Sequence, residues 1–464
     1  MQRIPFFLSL LFVACIASQV SAQTNGPHFA TGARVGEVRQ TEAIVWVRLT
    51  KQANGDTLAI KDSASGMPGK VKLSWWPSDR PEAIQHLDPV SVDPNADFTA
   101  QIKLAGLQPS TDYGYTLTAI STTDKEGSRL QGKFKTAPTA KQVTDVTAVV
   151  VTCQGLGSVD DNQKGHWVYS EMLNHDPDLF IHTGDVVYYD RGDPKKGEPQ
   201  PASKDIAGAR QRWARMYSHP WNRDFNSKVA SYFMKDDHDT LKDDCWPGQT
   251  YGKLNFQQGV ELFKEQTPQG ERPYRTVRWG KDLQFWLLEG RDFRTPNPEP
   301  DGPEKSILGV EQKSWLKKGL AQSDATFKLV VFPSPIVGPD KHGKKDNHSN
   351  PTYATEGKEL RTHLASIPNT YVVCGDRHWQ YASQDPETGL IEICSGPIND
   401  KHTEKGGPNF EENPDYHLYF GKGRGGFLKI AVTREKDVPK IDFIWHGDRK
   451  SKGVVTKTLS YPAK

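Results

Sequence analysis

The sequence predicts an α/β fold in which helices flank a β-sheet core, preceded by a smaller all-β domain. Two patterns lead to this prediction. From about residue 145 onward, short and nearly continuous apolar runs alternate with helix-compatible segments, which is typical of strands buried on both faces. From residue 27 to about residue 138, apolar and polar residues alternate, and clusters of Gly, Pro, Asp and Asn separate the runs, as in strands with one buried face.

Length and charge narrow the class of protein. The chain has 464 residues, which is enough for two or more domains. Lys and Arg number 59 against 57 Asp and Glu, a formal charge of +2. This near balance argues against a general nucleic-acid-binding surface. Beyond the N-terminus no stretch approaches the roughly 20 apolar residues of a membrane span, so we expect no transmembrane segment. The oligomeric state is not indicated.

The N-terminus predicts export. Residues 1–22 contain one arginine, an apolar stretch, and the small-x-small triplet Val20-Ser21-Ala22, the layout of a cleaved signal peptide. A lipoprotein modified at Cys15 is the alternative. We therefore expect a secreted or periplasmic protein. Its remaining cysteines would form disulfides or stay as buried thiols: Cys153, Cys245, Cys374 and Cys394.

The segment 27–138 predicts a β-sandwich. Within it, LAGLQPSTDYGYTLTAI followed by GKFKTAP resembles the last strands of a fibronectin III-like or Ig-like domain. Thr136-Ala137-Pro138 then resembles a domain exit. We expect this domain to support its neighbour and to carry no chemistry.

Seven apolar runs predict the strands of the following core, arranged as two central sheets or one large sheet. The runs span residues 146–152, 178–183, 229–234, 283–288, 327–332, 370–374 and 391–394. Residues 165–175 and 310–323 are helix-compatible.

Polar clusters follow four of these runs. They are Thr152-Cys153-Gln154, Gly184-Asp185 with Tyr188, Asp236-Asp237-His238-Asp239, and Gly375-Asp376-Arg377-His378. A single Asp after a strand is usually a turn or cap residue, but ligands of α/β folds bind beyond the carboxyl ends of the strands. Carboxylate, imidazole, thiolate and phenolate groups are metal donors, and a carboxylate that bridges two metals creates a clamp for a phosphoryl group. The four clusters together predict a metal site.

These motifs resemble the alkaline phosphatase D (PhoD-like) family of metallophosphoesterases. The shared features are G-D-x-x-Y, D-D-H-D, a later R-x-x-R, G-D-R-H-W and the Cys-Gln pair. The resemblance spans the mature chain. It implies a metallophosphoesterase-like β-sandwich core flanked by helices at 145–464, after the fibronectin III-like domain at 27–138. It also implies a metal-dependent phosphoric ester hydrolase that acts on small phosphate esters.

The resemblance assigns roles to individual residues. It implies a ferric ion bound by Cys153, Asp185, Tyr188 and His378. It implies a calcium ion, or another divalent metal, bound by Asp185, Asp237 and Asp376. It implies catalytic roles for His238, as general acid or leaving-group contact, and for Arg291, on a phosphate oxygen, with Arg294 and Arg377 as further substrate contacts.

Two residues depart from the family pattern. Lys235 stands where relatives usually have Trp, and we expect it to be a solvated surface residue. Glu289 stands where relatives have Asp, so its contact with a metal is open.

Two polar segments leave alternatives open. The segment 335–350 is too polar for us to expect burial, and His348 and its neighbours would either face substrate or be solvated. Asp243 and Asp244 would support the site or cap a turn.

Two further hypotheses compete with the phosphatase interpretation. A phosphodiesterase or phospholipase-type activity would use the same metals, and the shape and charge of the pocket would decide. A non-catalytic extracellular binding protein with a degenerate core would lack metal ligands.

Overall fold

Two β-sheets packed face to face, with helices on both outer faces, make up most of the molecule. The computed structural model describes residues 26–53, 65–192, 201–403 and 416–464. The predicted signal peptide, residues 1–22, lies outside these ranges. In the ranges described, no helix combines the length and apolar character that crossing a membrane requires.

The described residues of the N-terminal part form eight strands. They are β1 (Ala33–Gly36), β2 (Glu42–Arg48), β3 (Lys70–Pro77), β4 (Gln85–His86), β5 (Val90–Ser91), β6 (Thr99–Ala105), β7 (Asp112–Ile120) and β8 (Glu126–Lys135). Strands β4, β3, β7 and β8 form a sheet to which β5 is added beside β3.

The rest of the chain mixes strands and helices. The strands are β9 (Val146–Val151), β10 (Leu179–His182), β11 (Ala230–Phe233), β12 (Thr250–Tyr251), β13 (Leu254–Asn255), β14 (Arg275–Trp279), β15 (Leu283–Leu287), β16 (Phe327–Phe332), β17 (Thr370–Cys374), β18 (Gln380–Gln384), β19 (Ile391–Cys394), β20 (His417–Gly421), β21 (Gly426–Glu435), β22 (Val438–Gly447) and β23 (Val455–Pro462). The helices are α1 (Val168–Leu173), α2 (Ile206–Ser218), α3 (Pro220–Asn226), α4 (Phe256–Gln266), α5 (Gly309–Gln322) and α6 (Ala354–Ala365).

The first core sheet has nine strands in the order β23-β22-β21-β9-β10-β11-β1-β2-β6. Its centre, β9, β10 and β11, is parallel, so these strands end at the same edge. Strand β1 pairs in parallel with β11 and is followed by antiparallel β2 and β6. The N-terminal segment therefore contributes three strands to the core sheet, in addition to its own smaller sheet.

The second core sheet has seven strands in the order β14-β15-β16-β17-β19-β18-β20. Strands β15, β16, β17 and β19 are parallel and form its centre. Strands β12 and β13 form a separate pair.

Side chains of the central strands alternate between two hydrophobic layers. In β9, Ala148 and Val150 pack in the layer between the two sheets, whereas Val149 and Val151 pack against α1 to α4. In β16, Leu329 faces the inner layer and Val330 packs against α5 and α6. Burial on both faces explains the continuous apolar runs of the sequence. The predicted fold class, a helix-flanked β-sandwich core after all-β strands, is confirmed.

The cysteines of the described residues do not pair. Cys153, Cys245, Cys374 and Cys394 are all buried and free. Of the two alternatives that the sequence left open, the structure therefore has the buried thiols.

A buried ion pair joins the two core sheets. Glu37 directly follows β1, and its Oε1 accepts hydrogen bonds from Arg275 Nε at 2.9 Å and Nη2 at 2.5 Å. Arg275 Nη2 also donates to the carbonyl of Phe233, the last residue of β11, at 2.9 Å. One guanidinium thus connects β1, β11 and β14.

Replacing Arg275 with methionine leaves Glu37 buried without its cation. We expect the free energy of unfolding to fall by about 3–5 kcal/mol, the usual cost of removing one partner of a buried ion pair. Denaturant unfolding followed by circular dichroism measures this change. Arg129→Met is the control, because the Arg129–Glu126 pair is exposed and should contribute about 1 kcal/mol or less. Equal losses in the two variants would contradict a special role for the buried pair.

Candidate metal centre

Four strands deliver polar residues to one place. A segment with possible metal-ligand side chains follows the end of each of four strands: β9, β10 and β11 of the first sheet and β17 of the second. Among the described residues, four donor groups have ligand atoms within 4.8 Å of one another: Cys153, Asp185 and His378; Asp185, Asp237 and His238; Asp185, Asp236 and Asp376; and Asp237, Asp243 and Asp244. Asp185 belongs to three of the four, so it lies at the centre of the site.

The backbone turns sharply at three of these positions. Cys153, Asp185 and Asp376 have φ angles of 50°, 57° and 61°, in the left-handed region that side chains with a Cβ seldom adopt. Each follows the end of a central strand. Backbone strain of this kind clusters at functional sites, where the surrounding structure enforces it.

The glycines before Asp185 and Asp376 serve different purposes. Gly184 has a φ of +111°, which favours glycine. Gly375 instead makes a close approach, since a Cβ there would lie 2.7 Å from Thr152 Oγ1, Thr183 Oγ1 and the Pro333 carbonyl oxygen. The two sheets can therefore meet closely only with glycine at position 375.

The structure brings together the four residues predicted for a ferric ion. The Tyr188 hydroxyl donates to Asp185 Oδ2 at 2.9 Å, and Cys153 Sγ lies 3.4 Å from the same oxygen. His378 Nε2 lies 3.4 Å from the Tyr188 oxygen. A sulfur, a carboxylate, a phenol and an imidazole thus converge at the ends of β9, β10 and β17.

The three carboxylates predicted for the second metal also lie at this edge. Asp237 groups with Asp185 and His238, whereas Asp376 groups with Asp185 and Asp236. Asp236, which sequence reasoning did not select, therefore lies near both Asp185 and Asp376. Consecutive residues of the motif Asp236-Asp237 thus belong to two different donor groups that share Asp185.

Unpaired oxygens show that these donors fit a cation. Asp185 Oδ1 and Asp236 Oδ2 are buried and have no hydrogen-bond partner. Burial raises the pKa of Asp185 well above its usual range. The nearby charge of His238 opposes this effect on the pKa, whereas the charges of Asp237 and Asp236 add to it. A buried carboxylate oxygen without a donor is costly unless it is protonated or binds a cation. The mixed sulfur, nitrogen and oxygen set suits a borderline or hard metal ion.

His238 is held as a cation by its surroundings. Its Nδ1 lies 2.6 Å from Asp190 Oδ1, and its ring packs on Tyr188 with centroids 4.3 Å apart. Burial lowers the pKa of His238, but Asp237, Asp185 and Asp190 outweigh this effect and raise it to about 10. Sequence reasoning missed Asp190, although it lies only five residues after Asp185 in the same loop.

Arg291 lies inside the carboxylate cluster. Its guanidinium is fully buried, and Nε donates to Asp236 Oδ1 at 2.6 Å. Its Nη2 lies 3.6 Å from Asp346 Oδ2 and 3.9 Å from Asp237 Oδ2. Arg291 thus compensates the charge of carboxylates from inside the protein, and its contact with a phosphate oxygen stays a prediction.

The two further arginines are engaged in the same way. Arg377 forms ion pairs with Asp376 and Asp340, and its side chain is 1% exposed. Arg294 donates from Nε to the carbonyl of Gly290 at 2.8 Å and is also buried. Both guanidiniums thus bind protein acceptors, and the contact of these arginines with substrate stays a prediction.

Lys235 is not the surface residue that the sequence predicted. Its side chain is buried, and its ammonium forms ion pairs with Glu289 and, at 2.8 Å, with Asp292. Glu289 Oε1 accepts the backbone N–H of Arg291 at 2.6 Å. Glu289 therefore binds the Lys235 ammonium and the backbone N–H of Arg291. It supports residues of the site from behind.

His348 is also buried, contrary to the expectation for segment 335–350. Its Nε2 lies 2.9 Å from Glu356 Oε2, near the start of α6, and its ring packs on Phe332. Asp346 and Asn347 of the same segment are buried as well. His348 thus holds the segment to the second sheet, and its contact with substrate stays a prediction.

Three further residues complete the surroundings of the site. His402 Nε2 lies 2.9 Å from the Tyr188 hydroxyl, and its ring packs on His378 with centroids 4.6 Å apart. Asp244 donates its backbone N–H to Asp237 Oδ2 at 2.6 Å. Asp243 Oδ1 lies 3.5 Å from His238 Nε2. Nothing in the local sequence around His402 indicated its place, since it lies far from Tyr188 along the chain.

Comparisons with known proteins identify the family of this chain. Residues 148–436 match the model of the PhoD-like phosphatase, and residues 14–138 match the model of the PhoD-like phosphatase N-terminal domain. The chain is 22% identical to alkaline phosphatase D of Bacillus subtilis (strain 168), over 87% of this chain and 76% of that protein. It is 24% identical to human tartrate-resistant acid phosphatase type 5, over 45% of this chain and 62% of that protein.

Solved structures show the same architecture. A structure of PhoD superposes with a TM-score of 0.76 at 19% identity and covers 95% of this chain and 91% of its own. The purple acid phosphatase PPD1 from yellow lupin (Lupinus luteus) seeds gives a TM-score of 0.62 at 13% identity, with coverages of 94% and 74%. At these identities the superpositions establish the fold.

The donor geometry predicts that Cys153 is needed to retain metal. We expect Cys153→Ser to weaken metal binding by more than about tenfold. Losing a residue that only supports a metal ligand already costs about tenfold, and Cys153 is predicted to be a ligand itself. Elemental analysis of the dialysed protein measures the metal content. Cys394→Ala is the matched control, because Cys394 is also buried but belongs to none of the donor groups. Full metal content in Cys153→Ser would remove this residue from the site.

Proposed function

This chain belongs to the PhoD-like phosphatase family and is a phosphoric ester hydrolase, and we propose that it is an exported enzyme whose hydrolysis depends on metals bound around Asp185. The observation that carries the proposal is the environment of this carboxylate. Its Oδ2 faces Tyr188 and Cys153, while its buried Oδ1 has no partner. Asp185 is therefore oriented to serve two donor groups at once.

The donor chemistry supports a different metal on each side. Cys153, Tyr188 and His378, with Asp185, provide the thiolate, phenolate and imidazole that suit a ferric ion. On the other side, Asp185, Asp237 and Asp376, with Asp236 nearby, provide the oxygen-rich shell that suits calcium or another divalent ion. When bound, such ions would supply a water activated for attack on phosphorus and would neutralise charge on the phosphoryl group.

His238 would assist the departure of the leaving group. Its pKa, raised to about 10, keeps the imidazolium protonated at neutral pH. Asp190 holds Nδ1, so Nε2 is the nitrogen that faces the open side of the site, towards the exposed Asp243. An imidazolium in this position donates its proton to the departing alkoxide oxygen of the ester.

Hydrolysis of a substrate panel tests the proposal. We expect the purified protein to cleave p-nitrophenyl phosphate, to lose activity after dialysis against a chelator, and to recover it with added iron and calcium. Asp185→Asn should reduce kcat by about three orders of magnitude or more, because both donor groups lose their shared ligand. The control is Asp282→Asn, which alters a buried aspartate that pairs with Arg434 outside the site.

Three outcomes of this experiment are decisive. Full activity in Asp185→Asn, or in chelated protein that contains no metal, would refute the proposal. Faster cleavage of bis(p-nitrophenyl) phosphate or of a phospholipid than of the monoester would favour the diesterase alternative.

The proposed role of His238 predicts a dependence on the leaving group. Asp190→Asn removes the partner that orients the imidazolium, so proton donation becomes less effective. We expect kcat to fall about 100-fold for an alkyl phosphate, whose leaving alkoxide needs the proton, but only a few-fold for p-nitrophenyl phosphate. Steady-state kinetics with the two substrates measures this difference. The same loss on both would show that Asp190 has only a structural role.

A further inference from the structure

The cations around the carboxylate cluster differ in their access to solvent. The side chains of Arg291 and Arg377 are 0% and 1% exposed, and that of Lys235 is 4% exposed. Lys344, in contrast, is 18% exposed. Of these four cations, Lys344 is therefore the one that an incoming anion can reach.

The segment that carries Lys344 is firmly held. We call residues 338–350 the strap. Asp340 of the strap pairs with Arg377, and the side-chain amides of Asn347 and Asn350 each donate to Asp340 Oδ2 at 2.7 Å. These contacts position the strap across the cluster, so that its lysine does not depend on a freely moving loop.

The Lys344 ammonium lies on the open side of the site. Its Nζ is 2.6 Å from Asp244 Oδ1 and 3.8 Å from Asp243 Oδ1. The same Asp243 oxygen lies 3.5 Å from His238 Nε2. The Lys344 ammonium and His238 Nε2 thus both lie near the same carboxylate oxygen.

That oxygen belongs to an exposed side chain. The Asp243 side chain is 57% exposed, so an incoming anion can displace it at little cost. Arg191, an exposed residue beside Asp190, adds positive charge near Asp243. Lys344 and Arg191 therefore lie near the exposed carboxylate of Asp243, which an incoming anion can replace.

We propose that Lys344 binds a non-bridging oxygen of the substrate's phosphoryl group and makes the site prefer phosphoryl groups with two negative charges, those of monoesters, over singly charged diesters. This inference rests on the proposed function. A lysine ammonium is a compact charge whose attraction grows with the charge of its partner. Removing it therefore costs a dianion more than a monoanion.

Substitution at Lys344 tests the proposal with three variants. In Lys344→Met, we expect kcat/KM for p-nitrophenyl phosphate to fall about tenfold more than kcat/KM for bis(p-nitrophenyl) phosphate, a difference of one factor of ten in transition-state binding. The inhibition constant of inorganic phosphate should rise by a similar factor. Lys344→Arg, which keeps the charge, should restore most of the preference. Lys345→Met removes the same charge one residue further along the strap and should leave the ratio unchanged.

The outcomes separate this inference from the proposed function. Equal losses on both substrates, or losses accompanied by a lower metal content or a lower Tm, would show that Lys344 only holds Asp244 in place and would overturn the inference. Wild-type protein that cleaves neither substrate would refute the proposed function instead. In that case calorimetric titration with inorganic phosphate still decides, because unchanged phosphate affinity in Lys344→Met would overturn the assignment of Lys344.

Discussion

The crowding of carboxylates at the shared edge of the two core sheets is the constraint to which the surrounding structure adjusts. Asp185, Asp236 and Asp237 are at most 2% exposed, and Asp376 is close to them. Removing several like charges from water costs several kcal/mol for each one that is not compensated. Fixed cations and a strained backbone are the means by which the fold tolerates this cost.

The cations act in two tiers. Arg291 and Arg377 contact the carboxylates of the cluster directly and are buried with them. Lys235 does not contact the carboxylates of the cluster directly. It pairs with Glu289, whose carboxylate accepts the backbone N–H of Arg291. A lysine in this place, instead of the aromatic residue usual in the family, therefore adds an ionic connection between the ends of β11 and β15. Lys344 is more exposed than these three cations, with 18% of its side chain accessible.

Much of the fold and part of the site could be predicted because both depend on local patterns. Continuous apolar runs identified β9, β10, β11 and β17, since strands buried on both faces need apolar residues at every position. The polar segments after β9, β10 and β11 identified Cys153, Asp185 and Asp237 as neighbours, since parallel strands of one sheet end at a common edge, and Asp376 follows β17 of the second sheet in the same way.

The direction of each charged side chain, in contrast, was decided by tertiary structure. From the sequence, Arg291 and His348 were expected to face substrate and Lys235 to face solvent, yet the packing of distant segments gave each a buried carboxylate partner. His402 reached Tyr188 from more than 200 residues away along the chain. The sequence by itself determined which residues end the buried strands and which donor chemistry they carry. Both features depend only on residues that are adjacent in the chain. Only the tertiary structure decided which cation neutralises a carboxylate and which remains for the phosphate, because the pairing of charges depends on contacts between segments that the sequence keeps far apart.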